Sequence, residues 1–118
     1  MADHKIAVVI YEPLSGDMAR VYRGLKTAAE FKAGGDDVTV VFDGSGVETL
    51  AAVSDATHPM HPLVESLREN VGGACSYCAS AHKVKDAISA AGWSLRAEAA
   101  GELSIRELAQ EGRQILNF

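Results

Sequence analysis

The stretch KIAVVIYEPLSGDMARVYRGLKTAAEFKAGGDDVTVVF, from Lys5 to Phe42, decides the fold. It begins with an apolar run over 5–11, rich in β-branched residues, which is typical of a strand buried on both faces. Apolar residues at helical spacing then predict a helix over 18–33, and a second apolar run over 37–42 repeats the strand pattern. Because a strand, a helix and a strand in so short a stretch form a βαβ unit, we expect the two strands to be parallel.

The rest of the chain continues this alternation of helices and strands. The first helix has two candidate N-cap residues, Ser15 and Asp17. The later predicted elements are helices over 46–54 and 62–71, a strand over 72–75, a helix over 79–91, a short edge strand or an irregular connection over 93–95, a helix from the Ser104–Glu107 capping box to about residue 112, and a final strand over 114–118. The expected fold is therefore a single α/β domain over residues 1–118, with a mostly parallel four- to five-stranded sheet in a three-layer α/β/α arrangement.

The composition limits the classes of partner. The chain has 11 Lys and Arg against 16 Asp and Glu, a formal net charge of −5. An acidic chain without a basic block is not expected to bind nucleic acid or an acidic membrane surface. No run has the length of a membrane-spanning helix and no signal peptide is recognised, so the predicted location is the cytoplasm.

The segment GGACSYCASAHKV, residues 72–84, contains the only two cysteines of the chain. In a reducing compartment this spacing indicates catalytic, redox or metal-binding cysteines rather than a structural disulfide. Cys75 is predicted to end a strand and begin a helix, where backbone N–H groups and the helix dipole favour a thiolate. Cys78, one helical turn on, is placed to condense with an oxidised or persulfidated Cys75, or alternatively fills a gap in the core.

Histidines near the cysteines extend the list of candidates. His82 follows Cys78 by four residues and could stabilise a thiolate or move a proton, so Cys75, Cys78 and His82 are the catalytic candidates. The two cysteines with His82, or with His58 and His61, would also supply the ligand types of a zinc site. Because the spacing is incomplete for a structural zinc site, no metal and no other cofactor is assigned.

Three groups of residues follow the predicted strands and are expected to meet at one edge of the sheet, since parallel strands share the edge at which they end. They are Tyr11 with Glu12, the loop over 43–46 and the cysteine segment over 75–78. The loop after the second strand offers small residues and backbone N–H groups that could receive an anion such as sulfate or a carboxylate. A tight strand-to-helix turn is the alternative interpretation of that loop. The ligand-binding candidates at this edge are Glu12, Asp43, Gly44, Ser45 and Gly46.

Several segments carry a resemblance to the DsrE/DsrF-like family of sulfur-relay proteins. They are the apolar first strand with the helix that follows it, DVTVVFDGSGV, PLVESLRENV, ACSYCASAHKV with a valine nine residues after Cys75, and QILNF. The resemblance implies a YchN-like α/β fold and a persulfide-carrying cysteine at Cys75. It also implies assembly into homo-oligomers, commonly trimers or hexamers, or into hetero-oligomers.

The function expected from these observations is a small cytoplasmic sulfur-transfer or sulfur-trafficking protein. Cys75 would accept sulfane sulfur from a donor protein and pass it to an acceptor, acting as a sulfur carrier rather than as a turnover enzyme. One alternative is a thiol-disulfide redox module that uses Cys75 and Cys78. Another is a non-enzymatic oligomeric binding domain whose buried thiols are inert.

Overall fold

The computed structural model describes residues 3–118, and these form a five-stranded sheet whose neighbouring strands are all parallel. The strands are β1 (Lys5–Ile10), β2 (Asp37–Phe42), β3 (Val71–Cys75), β4 (Leu95–Arg96) and β5 (Gln114–Asn117). Their order across the sheet is β4-β3-β2-β1-β5. The predicted parallel sheet and the α/β/α fold are thus confirmed, and the strand expected near Trp93 is the two-residue edge strand β4.

Helices cover both faces of the sheet. They are α1 (Met18–Ala33), α2 (Gly46–Val53), α3 (His61–Ser66), α4 (Ser76–Ala81), α5 (Lys85–Ala90) and α6 (Ile105–Gln110). The larger part of the core lies on the face that carries Ile6, Val8 and Ile10 of β1, against buried residues of α1, α2, α3 and α5. The opposite face has a smaller cluster in which Val9 and Cys75 pack with Leu108 of α6. Every residue of β1 except Lys5 is buried, as its apolar sequence predicts for an inner strand.

The helix predicted over 62–71 is shorter than expected. The α-helix α3 ends at Ser66, a turn of 3-10 helix follows over Arg68–Asn70, and Val71 is already the first residue of β3. The Val71 N–H donates to the Leu67 carbonyl at 3.0 Å, and the Asn70 side chain donates to Val38 of β2 at 3.1 Å. The 3-10 turn keeps apolar residues three and four apart on one side, so the spacing could not show where the α-helix stops.

The helix predicted over 79–91 is two helices, α4 and α5, and α4 begins at Ser76 rather than at Ala79. Between them Lys83 has a φ of 60°, in the left-handed region. The Lys83 N–H donates to Ser80 and the Val84 N–H donates to Ala79, which is the bond pattern of a Schellman motif. Glycine normally occupies that left-handed position, and because a lysine stands here the sequence carried no stop signal.

The starts of α1 and α6 show which of the predicted N-cap residues make the capping hydrogen bonds. Asp17, not Ser15, is the N-cap of α1, and its Oδ1 accepts from the N–H groups of Ala19 and Arg20 at 3.0 and 3.3 Å. Ser104 caps α6 as predicted, since its Oγ accepts from the Glu107 N–H at 3.0 Å. A capping box also predicts that the Ser104 N–H donates to the Glu107 side chain. In the structure this N–H donates instead to Glu98 Oε1, at 3.4 Å.

Within residues 3–118 no helix combines the length and the apolar character needed to cross a membrane.

Candidate functional site

The ends of β3, β2 and β1 are neighbours, because these strands are adjacent in the sheet. Cys75 is the last residue of β3, Asp43 follows β2, and Tyr11 follows β1. One ligand atom each of Asp43, Cys75 and Cys78 lie within 4.8 Å of one another. We call these three residues the thiol–carboxylate cluster.

Cys75 lies in the interior at the junction between β3 and α4. The residue is 1% exposed and packs in the core cluster that includes Val9 and Val41. It is the N-cap residue of α4, and its Sγ accepts from the Cys78 N–H at 3.4 Å. An N–H directed at a sulfur atom favours negative charge on that sulfur. The position predicted for Cys75, a strand end that begins a helix, is the position observed.

Cys78 is half-buried in the first turn of α4, and both cysteines are free thiols. Its Sγ donates to Asp43 Oδ1 at 3.6 Å. Burial raises the pKa of the Cys78 thiol to about 12, and the neighbouring Cys75 and Asp43 act in the same direction. The Gly44 N–H opposes this shift of the pKa but does not cancel it. At neutral pH the Cys78 side chain is therefore a protonated thiol and a weak nucleophile.

The loop after β2 is a tight turn that holds Asp43 against the cysteines. Asp43 Oδ1 accepts from the Gly44 N–H at 2.8 Å, and the Asp43 carbonyl accepts from the Gly46 N–H at 2.9 Å. The Gly46 N–H thus donates within the loop, and the Gly44 N–H donates to the Asp43 carboxylate and lies near the Cys78 sulfur. Ser45 is the N-cap residue of α2 and makes no side-chain cap bond. Anion binding by residues 43–46 stays a prediction.

Gly46 is required by close packing in this loop. A Cβ atom at this position would lie 1.9 Å from the carbonyl oxygen of Ile10, the last residue of β1. No side chain can be accommodated at that distance. Gly44 has a φ of 53°, which glycine adopts without strain.

Tyr11 lies beside the cluster, at the edge of the sheet where the residues that follow the strands are expected to meet. Its side chain is partly open to solvent, the whole residue being 38% exposed. Burial raises the pKa of the Tyr11 phenol, and the nearby Asp43 and Cys78 raise it further. Its position after β1 is the same signal that predicted Asp43 and Cys75 at this edge, and a role for Tyr11 at the site stays a prediction.

Glu12 has contacts that organise the start of α1. Its Oε2 accepts from the Asp17 N–H at 3.0 Å, and its Oε1 lies 3.8 Å from Arg20 Nε. Its carbonyl accepts from the buried Thr49 hydroxyl of α2 at 2.7 Å. These contacts connect the loop after β1 to two helices, and a ligand-binding role for Glu12 stays a prediction.

The histidines contact groups other than the sulfur atoms. His82 caps the end of α4, and its Nδ1 lies 2.5 Å from Glu48 Oε2 of α2. His58 Nδ1 accepts from the Met60 N–H at 3.0 Å, and His61 Nδ1 lies 2.8 Å from the Val53 carbonyl. Within residues 3–118 the group of possible metal ligands that contains both cysteines is completed by Asp43, not by a histidine.

The sequence profile of the DsrE/DsrF-like family matches residues 4–118. No curated protein and no solved structure matches the chain.

Proposed function

The chain belongs to the DsrE/DsrF-like family, and from this premise and the site geometry we propose that it is a sulfur-transfer protein. Cys75 carries sulfane sulfur as a persulfide in this proposal. The observation that carries it is the placement of Cys75 at the end of β3, with its sulfur accepting the Cys78 N–H. Thiols at the start of helices are reactive because the negative charge of the thiolate is stabilised there and a donor can reach the sulfur. Because Cys75 is 1% exposed, sulfur transfer to it also requires the residues that cover its sulfur to move aside.

The two cysteines differ in a way that favours Cys75 as the sulfur acceptor. A thiol attacks sulfur in its thiolate form. The pKa of Cys78 is raised to about 12 by burial and by its neighbours, so Cys78 is protonated at neutral pH. Cys75 instead receives a backbone N–H at its sulfur. Cys78 is therefore proposed to support the site, and the nucleophile is Cys75.

The proposed sulfur transfer needs no cofactor, because each S–S bond that forms replaces one that breaks. The Cys75 thiolate attacks the sulfane sulfur of a donor, a new S–S bond forms at Cys75 Sγ, and the electron pair of the broken bond leaves with the donor. An acceptor thiolate then attacks the outer sulfur, and the Cys75 thiolate is the leaving group. The chain acts as a carrier between a donor and an acceptor protein, in a reducing cytoplasm, and we propose the homo-oligomeric assembly of trimers or hexamers that the family resemblance implies.

Intact-mass analysis tests the persulfide. Metal-free reduced protein is incubated with inorganic polysulfide, and the wild type is expected to gain the mass of one sulfur atom. Cys75→Ser should gain none, while Cys78→Ser, the matched control, should keep the adduct. A wild type without the adduct, or an equal adduct on Cys75→Ser, would contradict the proposal.

A thiol-disulfide redox module is the second candidate function. It is favoured by the closeness of the two sulfur atoms, which lie within 4.8 Å of each other. This function predicts a measurable reduction potential that either cysteine substitution abolishes. A sulfur adduct that persists in Cys78→Ser would separate the carrier from the redox module.

A further inference from the structure

We propose that Asp43, Cys75 and Cys78 form an exchangeable zinc site. The site goes beyond sulfur carriage, since it uses the same two sulfur atoms for a different ligand and adds a carboxylate that sulfur transfer does not require. Two thiolates and one carboxylate are ligand types that zinc accepts together. The histidines suggested by the sequence have no part in it.

The distances within the thiol–carboxylate cluster fit a shared ion. Zinc bonds of about 2.3 Å to sulfur and about 2.1 Å to oxygen at tetrahedral angles place the sulfur and the oxygen about 3.6 Å apart. Cys78 Sγ and Asp43 Oδ1 are 3.6 Å apart. The ligand atoms of all three residues lie within 4.8 Å of one another, so only small side-chain adjustments are needed to close the site.

The ligands are positioned by the ends of two strands and the first turn of a helix. Asp43 and Cys75 come from the ends of two adjacent strands, and Cys78 comes from the first turn of α4. The Gly44 N–H, 2.8 Å from Asp43 Oδ1, fixes the carboxylate, and the Cys78 N–H donates to Cys75 Sγ. Such outer contacts orient metal ligands and raise the affinity for the metal.

Three protein ligands leave one position of a tetrahedral zinc ion open. Cys78 is half-buried, and the neighbouring Tyr11 is 38% exposed, so this side of the cluster faces solvent. A water molecule is expected to fill the fourth position. An open position makes the ion exchangeable, in contrast to a closed site with four protein ligands.

Zinc and sulfane sulfur compete in this proposal. Binding of the ion displaces the protons of both thiols to solvent and occupies Cys75 Sγ, the atom that would accept sulfur. The zinc-loaded protein should therefore not form the persulfide. Removal of the ion by a chelator should restore persulfide formation.

Titration with Co²⁺, a spectroscopic substitute for Zn²⁺, tests the site in reduced protein. The wild type is expected to bind one ion with a sulfur-to-cobalt charge-transfer band, and added Zn²⁺ should displace it. Asp43→Asn should keep both sulfur ligands but weaken binding by at least about 10-fold, the lower limit for loss of a group that only orients a metal ligand. His58→Ala and His61→Ala are the matched controls and should bind as the wild type does.

A second measurement covers the case in which a variant folds poorly. In the wild-type protein, Zn²⁺ should slow the alkylation of Cys75 by iodoacetamide, as followed by peptide mass mapping; Cys78 is not used for this readout because its raised pKa keeps the thiol protonated. Absence of both the charge-transfer band and this protection would overturn the zinc site. The zinc site would also be overturned if a histidine variant lost Co²⁺ binding while Asp43→Asn bound Co²⁺ as tightly as the wild type. The persulfide test uses metal-free protein, so failure of one proposal leaves the other standing.

Discussion

At the residue scale, glycine is decisive at position 46 because two main-chain segments meet there. Its α-carbon faces the Ile10 carbonyl oxygen, and a Cβ atom would lie 1.9 Å from that oxygen. The same turn carries Asp43, whose carbonyl accepts from the Gly46 N–H at 2.9 Å. Packing at Gly46 therefore fixes the position of a carboxylate in the thiol–carboxylate cluster.

Gly46→Ala is expected to lower the free energy of unfolding by about 3 kcal/mol, since the added methyl group must push β1 and α2 apart. Urea denaturation gives the value directly. Gly34→Ala is the matched control, because Gly34 has a φ of −76° and the nearest atoms to its Cβ position are 3.4 Å away. Equal stability of the two variants would show that the contact with Ile10 is not as close as described.

Cys78 gives a second prediction at this scale, for alkaline pH. The pKa of the thiol is raised from 9.0 to about 12 by folding, chiefly through burial. The native state then keeps a proton that the unfolded chain releases, so the contribution of Cys78 to stability is complete below the unfolded pKa and is lost as pH rises toward the folded pKa. The free energy of unfolding should therefore fall more steeply between pH 9.0 and about 12 in the wild type than in Cys78→Ser.

Urea denaturation of both chains across this pH range measures the effect. Groups common to the two chains cancel in the difference, which leaves the thiol. Parallel curves would mean that Cys78 titrates alike in the folded and unfolded states.

At the element scale, most helices and strands could be predicted from the sequence, while the start of α4 and the ends of α3 and α4 could not. The bounds of α1 and β2 agree with their apolar periodicity. The end of α4 was missed because the left-handed position of its Schellman motif is occupied by Lys83. The end of α3 was missed because the 3-10 turn preserves the apolar spacing. Both ends depend on backbone conformation that side-chain patterns do not encode.

The N-cap of α1 provides the prediction at the element scale. Asp17→Ala removes a carboxylate that accepts from two N–H groups at the start of the helix, those of Ala19 and Arg20. We expect the free energy of unfolding to fall by about 1 kcal/mol. Ser15→Ala, at the alternative cap position, should change it by less than about 0.5 kcal/mol. Thermal or urea unfolding of both variants makes the comparison, and a reversed ranking would assign the cap to Ser15.

At the scale of the whole molecule, the site results from the order of the strands. Because β3, β2 and β1 are adjacent, the residues at their ends, Cys75, Asp43 and Tyr11, come close together. The alternation of strands and helices predicted a parallel sheet with its candidate residues at one edge. It did not predict the strand order, which depends on contacts between distant parts of the chain. Cys75 and Asp43 could therefore each be proposed as site residues from the sequence. The hydrogen bonds by which Cys78 connects them could not be predicted.

The location of a transferred sulfur atom within the wild-type chain tests the central claim most directly. Metal-free reduced protein is treated with inorganic polysulfide, capped with iodoacetamide, and cleaved after Arg68 and Lys83 to give one peptide that contains both cysteines. Persulfide carriage on Cys75 predicts that fragment ions containing Cys75 but lacking Cys78 keep the extra sulfur. An extra sulfur found only on fragments with Cys78, or on neither cysteine, would contradict it.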